Sequence, residues 1–336
     1  MQENQNNISE KNWPEKIQAF FSDKRNRNGL FAFLVAFILA IFISIAVIPP
    51  ANFPTDKVVT VSDGESLEQI TAGLKNSGAI RSSFIFSSAV ILLGGERKVV
   101  AGDYLLKKPQ NALELAYRFA FGKTGITLVK ITIPEGWSVR QISDYLATKL
   151  TNFDSTLFQK TGRPSEGYLF PDTYFISPLI SPELLVKKMQ DNFQQKIASV
   201  FQIKNFGKSL SDIVIMASIL EDEARTTTDR QIVAGILWKR LSLGMPLQVD
   251  STIAYVTGKS LTELTASDLK INSPYNTYLH TGLPPTPIGN PGLDALTSAV
   301  TPTVTKYLYY LSDKNGLMHY AVSFAEHQKN IQKYLK

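Results

Sequence analysis

The chain has 336 residues, of which 44% are apolar, and its 35 basic and 29 acidic side chains leave a net charge of +6. This length allows two or three domains, and the apolar content is that of a folded protein rather than a disordered one. The positive charge suits contact with an anionic surface or polymer, but no dense lysine and arginine patch indicates nucleic-acid binding. Because cysteine is absent, disulfides, a thiol nucleophile and cysteine metal sites are excluded.

A long apolar run stands near the N-terminus. Leu30–Ile48 contains no charge, proline or glycine, and as a helix it would span about 28 Å, close to the thickness of a bilayer core. Lys24, Arg25 and Arg27 precede it, and no such basic cluster follows. The positive-inside rule therefore predicts a single-pass inner-membrane protein with a cytoplasmic N-terminus and an extracytoplasmic, or periplasmic, remainder.

A cleaved signal peptide is the alternative interpretation of this run. The apolar core of a signal peptide is usually shorter, about 7–15 residues, and ends at a small-x-small cleavage site. The sequence "SIAVIPPANFP" offers a poor site of that kind, which favours a retained anchor. The predicted boundaries are a tail over residues 1–29 and a transmembrane helix over residues 30–49.

Residues 50–126 follow as a small α+β unit. Lys57–Val61 alternates like a strand, and Ser66 with Gln69 three residues later is typical of a capping box that begins a helix. A second helix, "RSSFIFSSAVILLGG", and a strand candidate, "RKVVAGDYLL", come next. The order strand–helix–helix–strand resembles that of LysM-type carbohydrate-binding modules, and this resemblance implies a LysM-like domain here.

Residues 127–336 are predicted to form a second, mixed α+β domain. Helices and loops alternate up to about Leu241, and a loop-rich region then contains "SPYNTYLHTGLPPTPIGNPG". The end of the chain reads as two strands joined at "DKNG", which is typical of a β-hairpin. The fold class predicted for the whole chain is therefore α+β with one transmembrane helix.

Several common catalytic signatures are absent from the sequence. It contains no H-E-x-x-H motif and only three histidines, which argues against a zinc hydrolase. It contains no G-x-S-x-G elbow, no Walker A motif and no G-x-G-x-x-G loop. The sequence therefore predicts neither a metal nor an organic cofactor.

The segment "IVIMASILEDEAR" is the strongest candidate for chemistry. At about 100° per residue, Ile213, Ala217 and Glu221 share one stripe of a helix that is apolar on nearly all sides, whereas Glu223 falls on the opposite face. A carboxyl at an apolar wall resists ionisation, so its pKa rises and it can act as a general acid near neutral pH. The alternative is that a buried helix ends here and its acids are solvated.

Five motifs occur in one order and carry a family resemblance. They are "EGYLFPDTY", "ASILEDEA", "LQVDSTIAY", "INSPYNTYLHTGLPPTPIGNPG" and "LYYLSDKNGLMHYAVSFAEH". Over roughly residues 55–336 the chain resembles the YceG-like family of membrane-anchored endolytic murein transglycosylases. The resemblance implies cleavage of the MurNAc–GlcNAc bond of nascent peptidoglycan with formation of 1,6-anhydro ends, with Glu221 as the catalytic acid. Where the family more usually has "LQSDPT" and "GLPPGPI", this chain has "LQVDST" and Thr286, in segments predicted to be loops.

The same motifs supply candidates for substrate binding. An amide or carboxylate can hydrogen-bond sugar hydroxyls, and an aromatic ring can stack on a sugar face. The candidates are Glu166, Tyr168, Gln248, Asp250, Ser273, Tyr275, Asn276 and Tyr278. The alternative for the loop residues is structural: the tyrosines pack under the loop, Asn276 closes a turn, and Gln248 and Asp250 brace their loop.

Two other functions remain open at this point. One is a membrane-anchored peptidoglycan-binding protein without turnover, which would have no reason to keep Glu221 in its motif. The other is a hydrolase that uses water and needs a second carboxylate, for which Glu166, Asp250 and Glu223 are the motif candidates. The expected partners are glycan strands, the membrane and peptidoglycan synthases, but not nucleic acid.

Overall fold

The protein is described from a computed structural model, which divides it into two compact units, Met1–Ile126 and Thr127–Lys336. Both units contain helices and strands, so the predicted mixed class is confirmed. Much of the predicted N-terminal tail and part of the strand candidate "RKVVAGDYLL" lie outside the described residues. The structure describes residue 17 and residues 22–62, 64–95 and 99–335.

Helix α1, Lys24–Val47, contains most of the predicted transmembrane run. It is long and apolar enough to cross a membrane, with a mean hydropathy of 3.1 over its most apolar window. The helix begins earlier than the apolar run because Asp23 caps it, accepting a hydrogen bond from the Arg25 amide at 2.8 Å. Ala46, in its last turn, is buried.

The rest of the first unit has the order strand–helix–helix–strand–helix. Its elements are β1 (Lys57–Val61), α2 (Leu67–Asn76), α3 (Ser83–Leu92), β2 (Gly102–Leu106) and α4 (Ala112–Ala120). Strands β1 and β2 pair antiparallel, with Val59 opposite Tyr104. The predicted capping box is confirmed, since Ser66 and Gln69 each accept the other's backbone N–H. The core of this unit is built around Tyr104, whose ring stacks on Phe119 at 4.0 Å.

The second unit contains two separate two-stranded sheets. They are β3 (Val129–Thr132) with β4 (Thr173–Ile176), and β5 (Tyr309–Ser312) with β6 (Met318–Ala321), both antiparallel. The hairpin predicted at "DKNG" is confirmed: the Asp313 carboxylate accepts the Asn315 and Leu317 amides and so closes the turn. Strand β4 was not predicted, because its four residues follow a proline-containing loop and form a strand only against β3.

Helices form most of the second unit. They are α5 (Val139–Lys149), α6 (Ser155–Gly162), α7 (Pro182–Ile197), α8 (Leu210–Glu223), α9 (Thr227–Ser242), α10 (Asp250–Thr257), α11 (Leu293–Val300) and α12 (Phe324–Tyr334). Short 3-10 turns occur at Arg163–Ser165, Phe201–Asn205, Leu261–Glu263 and Asp268–Lys270.

Helix α8 lies at the centre of the second unit's main core. Every residue from Ile213 to Leu220 is buried, and α9, α10 and α11 pack around it, so the predicted buried helix is confirmed. Ser209 caps its first turn. It ends at Glu223 because Ala224 is extended and Thr226 starts α9 by capping the Asp229 amide. The acids at the end of α8 therefore stand where a buried helix reaches the edge of the core.

One sequence expectation about this unit was wrong. The "LQVDST" segment was predicted to be a loop, but α10 begins at Asp250, so Ser251 lies on a helix. Gly258 ends this helix in the left-handed conformation, with φ of 73°, as glycines commonly do. The eight residues between the acid and this glycine were too few to give a clear helical period.

Candidate active site

The Glu221 side chain lies at the C-terminal end of α8 and is almost buried, with 6% of it exposed. Its Oε2 accepts a hydrogen bond from the Gly292 amide at 2.8 Å, and its Oε1 accepts one from Nη2 of Arg230. Desolvation raises the pKa of this carboxyl, whereas the Gly292 amide and Arg230 lower it and the nearby charges of Glu135 and Asp294 raise it. The net direction is upward, as a general acid requires.

Arg230, on α9, links Glu221 to a second acid. Its Nη1 donates to Asp294 Oδ2 at 2.6 Å, and its Nε donates to the Ala224 carbonyl at 3.0 Å. Thr227 donates to the other oxygen of Asp294 at 2.8 Å. These contacts hold the guanidinium at a fixed position beside Glu221, with only 11% of the Arg230 side chain exposed. The site therefore contains one cation between two carboxylates.

A tight turn before α5 brings Glu135 to the same place. The Glu135 carboxyl group lies directly over Gly292, so close that a Cβ at position 292 would overlap it. The next residue, Gly136, has a φ of 80° and donates its amide to the Asn290 carbonyl at 2.8 Å. A Cβ on Gly136 would lie only 3.3 Å from Cγ of Glu221. The backbone of this turn therefore forms a wall of the site, and the exposed Glu135 carboxyl belongs to its rim.

Asn290 joins this turn to the loop that precedes α11. Its side-chain amide donates to the Trp137 carbonyl at 2.9 Å and to Glu166 Oε1 at 3.1 Å, and its Oδ1 accepts the Leu169 amide. The residue has no exposed surface. Its hydrogen bonds explain how two loops far apart in sequence keep a constant separation around Glu221.

The two acids after Glu221 have different surroundings. Asp222 is exposed, yet desolvation by the protein around its carboxyl and the charges of Glu223 and Glu221 raise its pKa to about 7. Glu223 accepts hydrogen bonds from Ser251 and Tyr310, each at 2.9 Å. It points away from Glu221 as the helical wheel predicted, but into these partners rather than into solvent. Burial raises the pKa of Glu223 despite them.

Glu166 lies inside the protein, with 5% of it exposed. Its carboxylate accepts the amide of Val139 at the start of α5, the Asn290 side chain and the Tyr255 hydroxyl. Burial outweighs these donors and raises its pKa to about 7. Tyr168 is half-buried, with its ring 5.1 Å from that of Phe193. Both contact sets are internal, and the predicted substrate-binding roles of these residues stay predictions.

Gln248 and Asp250 lie at the surface at the start of α10. Gln248 has a φ of 50°, one of three positive values among the described non-glycine residues, and such backbone strain is frequent at functional sites. Its amide nitrogen donates to the Thr277 carbonyl at 3.0 Å. Asp250 accepts a hydrogen bond from the Tyr278 hydroxyl at 2.6 Å. The strained, exposed glutamine favours the subsite hypothesis, which stays a prediction.

The "SPYNTY" loop is held by its own polar groups. Asn276 has no exposed surface, and its side chain donates to the Leu269 and Ile271 carbonyls and accepts the Tyr278 amide. This geometry favours the turn-forming alternative for Asn276. Ser273 likewise accepts the Tyr275 amide within the loop.

The two tyrosines of this loop are half-buried. The Tyr275 hydroxyl shares a 2.6 Å hydrogen bond with Thr286, and its ring lies 5.2 Å from that of Tyr255. Thr286 is the residue that departs from the usual family pattern, so this contact is particular to the present chain. Sugar binding by Tyr275, Tyr278, Ser273 or Asn276 stays a prediction.

Sequence reasoning missed four residues that the structure brings to Glu221. They are Glu135, Arg230, Gly292 and Asp294. Glu135 and Gly292 stood in the recognisable strings "PEGW" and "GNPG", but nothing local indicated that these strings meet. Arg230 read as an ordinary residue in the first turns of a helix. The contacts arise only when α9, α11 and the turn before α5 pack around the end of α8.

The fold and the site together define a class: an α+β protein with one helix of membrane-spanning length and a nearly buried carboxyl poised for proton transfer. Comparison with known proteins is more specific. The sequence profile of the YceG-like family matches residues 59–333, and the chain belongs to that family.

Characterised relatives cover most of the chain. A Bacillus subtilis protein named endolytic murein transglycosylase is 31% identical over 305 residues, which are 82% of this chain and 84% of the relative. A protein of the same name from Streptococcus pneumoniae is 28% identical over 331 residues, 85% of this chain but 60% of that longer protein. The crystal structure of a YceG-like protein from Listeria monocytogenes has a TM-score of 0.57 at 29% identity, covering 81% of this chain and 98% of that one.

Proposed function

We propose that this protein is an endolytic lytic transglycosylase that cleaves the MurNAc–GlcNAc bond of peptidoglycan strands, with Glu221 as its acid. The observation that carries the proposal is the environment of that side chain: a carboxyl at the end of a buried helix, 6% exposed, with a pKa raised by desolvation. The names of the relatives from B. subtilis and S. pneumoniae agree with this reaction.

The reaction needs one group that first gives and then takes a proton. Protonated Glu221 donates its proton to the glycosidic oxygen as the bond from C1 to that oxygen breaks. The C6 hydroxyl of the same MurNAc residue then attacks C1 and returns its proton to the Glu221 carboxylate. The products are a free GlcNAc 4-hydroxyl and a 1,6-anhydro-MurNAc end, and no water is consumed. Gly292 and Arg230 hold the carboxyl in place and stabilise it while it is ionised.

The position of Glu135 supports hydrolysis as the second candidate reaction. Hydrolases flank the bond with two carboxyl groups, one of them acting as nucleophile or activating water. The exposed carboxyl of Glu135 lies over Gly292, whose amide binds Glu221, and it was not among the second carboxylates that the sequence suggested. In the transglycosylase, the same charge raises the pKa of Glu221 and stabilises positive charge on the sugar ring.

Mass spectrometry of digested, uncrosslinked glycan strands distinguishes these reactions. We expect every new reducing-side end to be lighter by one water molecule than a hydrolysed end. Ends that carry a full water molecule would assign hydrolysis instead. Intact strands after prolonged incubation would favour the peptidoglycan-binding protein without turnover.

The Glu221 assignment is tested by Glu221→Gln, which keeps the shape of the side chain and removes its proton transfer. We expect turnover to fall by at least about 10²–10⁴-fold, with the protein still extracted from membranes as a folded species. Asp222→Asn is the matched control, because it neutralises the neighbouring acid and leaves the contacts of Glu221 intact. Near-normal turnover in Glu221→Gln contradicts the assignment.

The finer domain and membrane assignments belong to the same proposal. The β1–α2–α3–β2 order with antiparallel pairing supports a LysM-like domain over residues 50–126, before a catalytic domain over residues 127–336. The basic residues Lys24, Arg25 and Arg27 support a cytoplasmic N-terminus and an extracytoplasmic catalytic domain. In that location the enzyme would act on strands made by peptidoglycan synthases and terminate their elongation.

The orientation is tested with protease added to the outer face of the inner membrane. We expect the chain beyond Lys57 to be digested and residues 1–29 to be protected. Replacing Lys24, Arg25 and Arg27 with asparagine should weaken this orientation. A wild-type N-terminus that is cleaved from outside would contradict it.

A further inference from the structure

The first unit exposes large apolar side chains on two neighbouring helices. Phe84 is 76% exposed and Leu92 is 87% exposed, although both belong to a helix that is otherwise well packed. On each helix the exposed residues recur at helical spacing and so share one side. We call this set the α3/α4 apolar face; it consists of Phe84, Ile91, Leu92, Leu113, Tyr117 and Phe121.

This face begins where helix α1 ends. Ala46, in the last turn of α1, is 3% exposed because it packs with Ile85 of α3 and Ala112 of α4. Ile85 directly follows Phe84 in the chain, and Ala112 directly precedes Leu113. Exposed apolar side chains therefore flank both points at which the unit contacts the end of α1.

Polar side chains around the face are of the kind found at membrane surfaces. Arg81 is exposed and donates to the Pro49 carbonyl at 2.9 Å, just beyond the end of α1. Lys123 lies over the ring of Tyr117 at 4.6 Å and donates to its hydroxyl at 3.1 Å. Amphipathic tyrosines favour the headgroup level, and arginine and lysine side chains place their charges among lipid phosphates there.

We propose that the α3/α4 apolar face lies in the interfacial region of the lipid bilayer that α1 crosses. The proposal rests on α1 being a membrane anchor. If α1 spans the bilayer, its last turn lies at the edge of the hydrocarbon core, and the residues packed against it lie at the same depth. Each apolar side chain withdrawn from water there is stabilised at about 25 cal/mol per Å² of buried area. The bilayer is always next to the anchored unit, so it has a far higher effective concentration than any soluble partner.

The experiment uses the full-length chain in lipid bilayers and the fact that it contains no cysteine. A nitroxide is attached to one introduced cysteine at a time, in Phe84→Cys and Leu113→Cys, whose side chains are exposed and whose replacement leaves the core intact. Collision rates with oxygen, which partitions into lipid, and with a water-soluble nickel chelate give the depth of each label. Ile41→Cys in α1 is the lipid control, and Glu68→Cys on the polar surface of α2 is the aqueous control.

We expect the labels at 84 and 113 to collide with oxygen more than with the nickel chelate, at a shallower depth than the label at 41. The label at 68 should show the aqueous pattern. An aqueous pattern at both 84 and 113, with the label at 41 in lipid, overturns the proposal. An aqueous label at 41 overturns the membrane anchor itself and this proposal with it.

A second copy of the chain is the competing occupant of the face. In that case, spectra of the label at 84 would show spin–spin broadening that disappears when unlabelled protein is mixed in. Such broadening, together with low oxygen collision rates, would replace the bilayer with a dimer interface. Unbroadened spectra with high oxygen accessibility support the bilayer.

Discussion

Arg230 donates to two carboxylates at once, with Nη2 bound to Glu221 and Nη1 bound to Asp294 Oδ2 at 2.6 Å. Desolvation is the largest cause of the raised pKa of Glu221, but Arg230 lowers this pKa and Asp294 raises it. The two residues therefore act in opposite directions on the proton that the proposed reaction transfers. Such opposition gives a test that separates an electrostatic role from a merely structural one.

The first prediction concerns the pH profile of kcat/KM. A general acid is active while protonated, so activity falls as pH rises through its pKa. Arg230→Met removes a charge that lowers this pKa, and we expect the alkaline limb to move up by about one pH unit. Asp294→Asn removes a charge that raises it, and we expect the limb to move down by a similar amount.

A matched control for this prediction is Arg225→Met, which removes an exposed arginine four residues after Glu221 in the sequence. It should leave the alkaline limb in place. Shifts of the same sign in Arg230→Met and Asp294→Asn would contradict the electrostatic role. Lower activity with an unshifted profile in both variants would assign the two residues to the scaffold alone.

The second prediction concerns Glu166 and stability. Its pKa in the folded protein is raised to about 7, whereas an unfolded glutamate titrates near 4.3. The native state therefore holds the proton more tightly, and the stabilisation is complete below about pH 4.3 and is lost as pH rises through 7. Glu166→Gln keeps a neutral side chain that can accept from Val139 and Asn290 and no longer titrates.

The melting temperatures of the full-length protein and of Glu166→Gln should therefore be compared between pH 4.5 and pH 8. We expect the two to be close at the acidic end, and the variant to gain several degrees over the wild type as the pH rises. Glu263→Gln is a suitable control, because Glu263 lies in an exposed turn and has no raised pKa. A difference between Glu166→Gln and wild type that does not change with pH would contradict a buried, protonated Glu166.

Local sequence signals predicted much of the fold. The apolar run of α1, the capping box at Ser66, the buried α8 and the hairpin at "DKNG" are all features whose cause lies within a few residues. Strand β4 and helix α10 were missed because a four-residue strand and an eight-residue helix carry too little periodicity.

The candidate site could be predicted only in part. Glu221 was found because an acid on an apolar stripe is unusual in a sequence. Arg230 and Asp294, by contrast, are 64 residues apart, and each resembles a solvated charge in its own segment. Asn276 was expected at the glycan because its loop has the composition of a sugar platform. Composition does not reveal that the fold occupies both ends of this amide with carbonyl and amide partners.

The third prediction tests the close approach of Glu135 to Gly292. Gly292 has an ordinary φ of −76°, so alanine is acceptable to the backbone, but its Cβ would overlap the Glu135 carboxyl group. We expect Gly292→Ala to lower the melting temperature and to reduce turnover by up to about 10²-fold, because the amide that binds Glu221 is displaced. The added substitution Glu135→Ala should restore the melting temperature, since it removes the clash.

Glu135→Ala alone is the control that separates the clash from chemistry. If it is folded and inactive, Glu135 itself takes part in the reaction, and the double variant should regain stability without regaining turnover. A double variant as unstable as Gly292→Ala would contradict the proposed clash.

The last prediction separates Gln248 from Asn276. The Gln248 side chain is exposed and hydrogen-bonds to none of the described residues, although its backbone is held at a φ of 50°. A side chain that binds a sugar next to the scissile bond contributes to reaching the transition state, so its loss lowers turnover without changing stability. We therefore expect Gln248→Ala to reduce activity on long glycan strands about tenfold or more while its melting temperature stays within a degree or two of wild type.

Asn276→Ala should do the reverse. Three hydrogen bonds of a fully buried amide are lost, and two carbonyls and one amide are left without partners at a typical cost of about 1–3 kcal/mol for each such group. We expect a melting temperature several degrees lower, and activity near wild type when it is measured well below that temperature. The comparison is decisive because both residues flank one surface, since the Gln248 amide donates to the carbonyl of Thr277, the neighbour of Asn276. If Asn276→Ala is instead stable and inactive, Asn276 binds the glycan in a conformation that differs from the one described, and the turn-forming role is wrong.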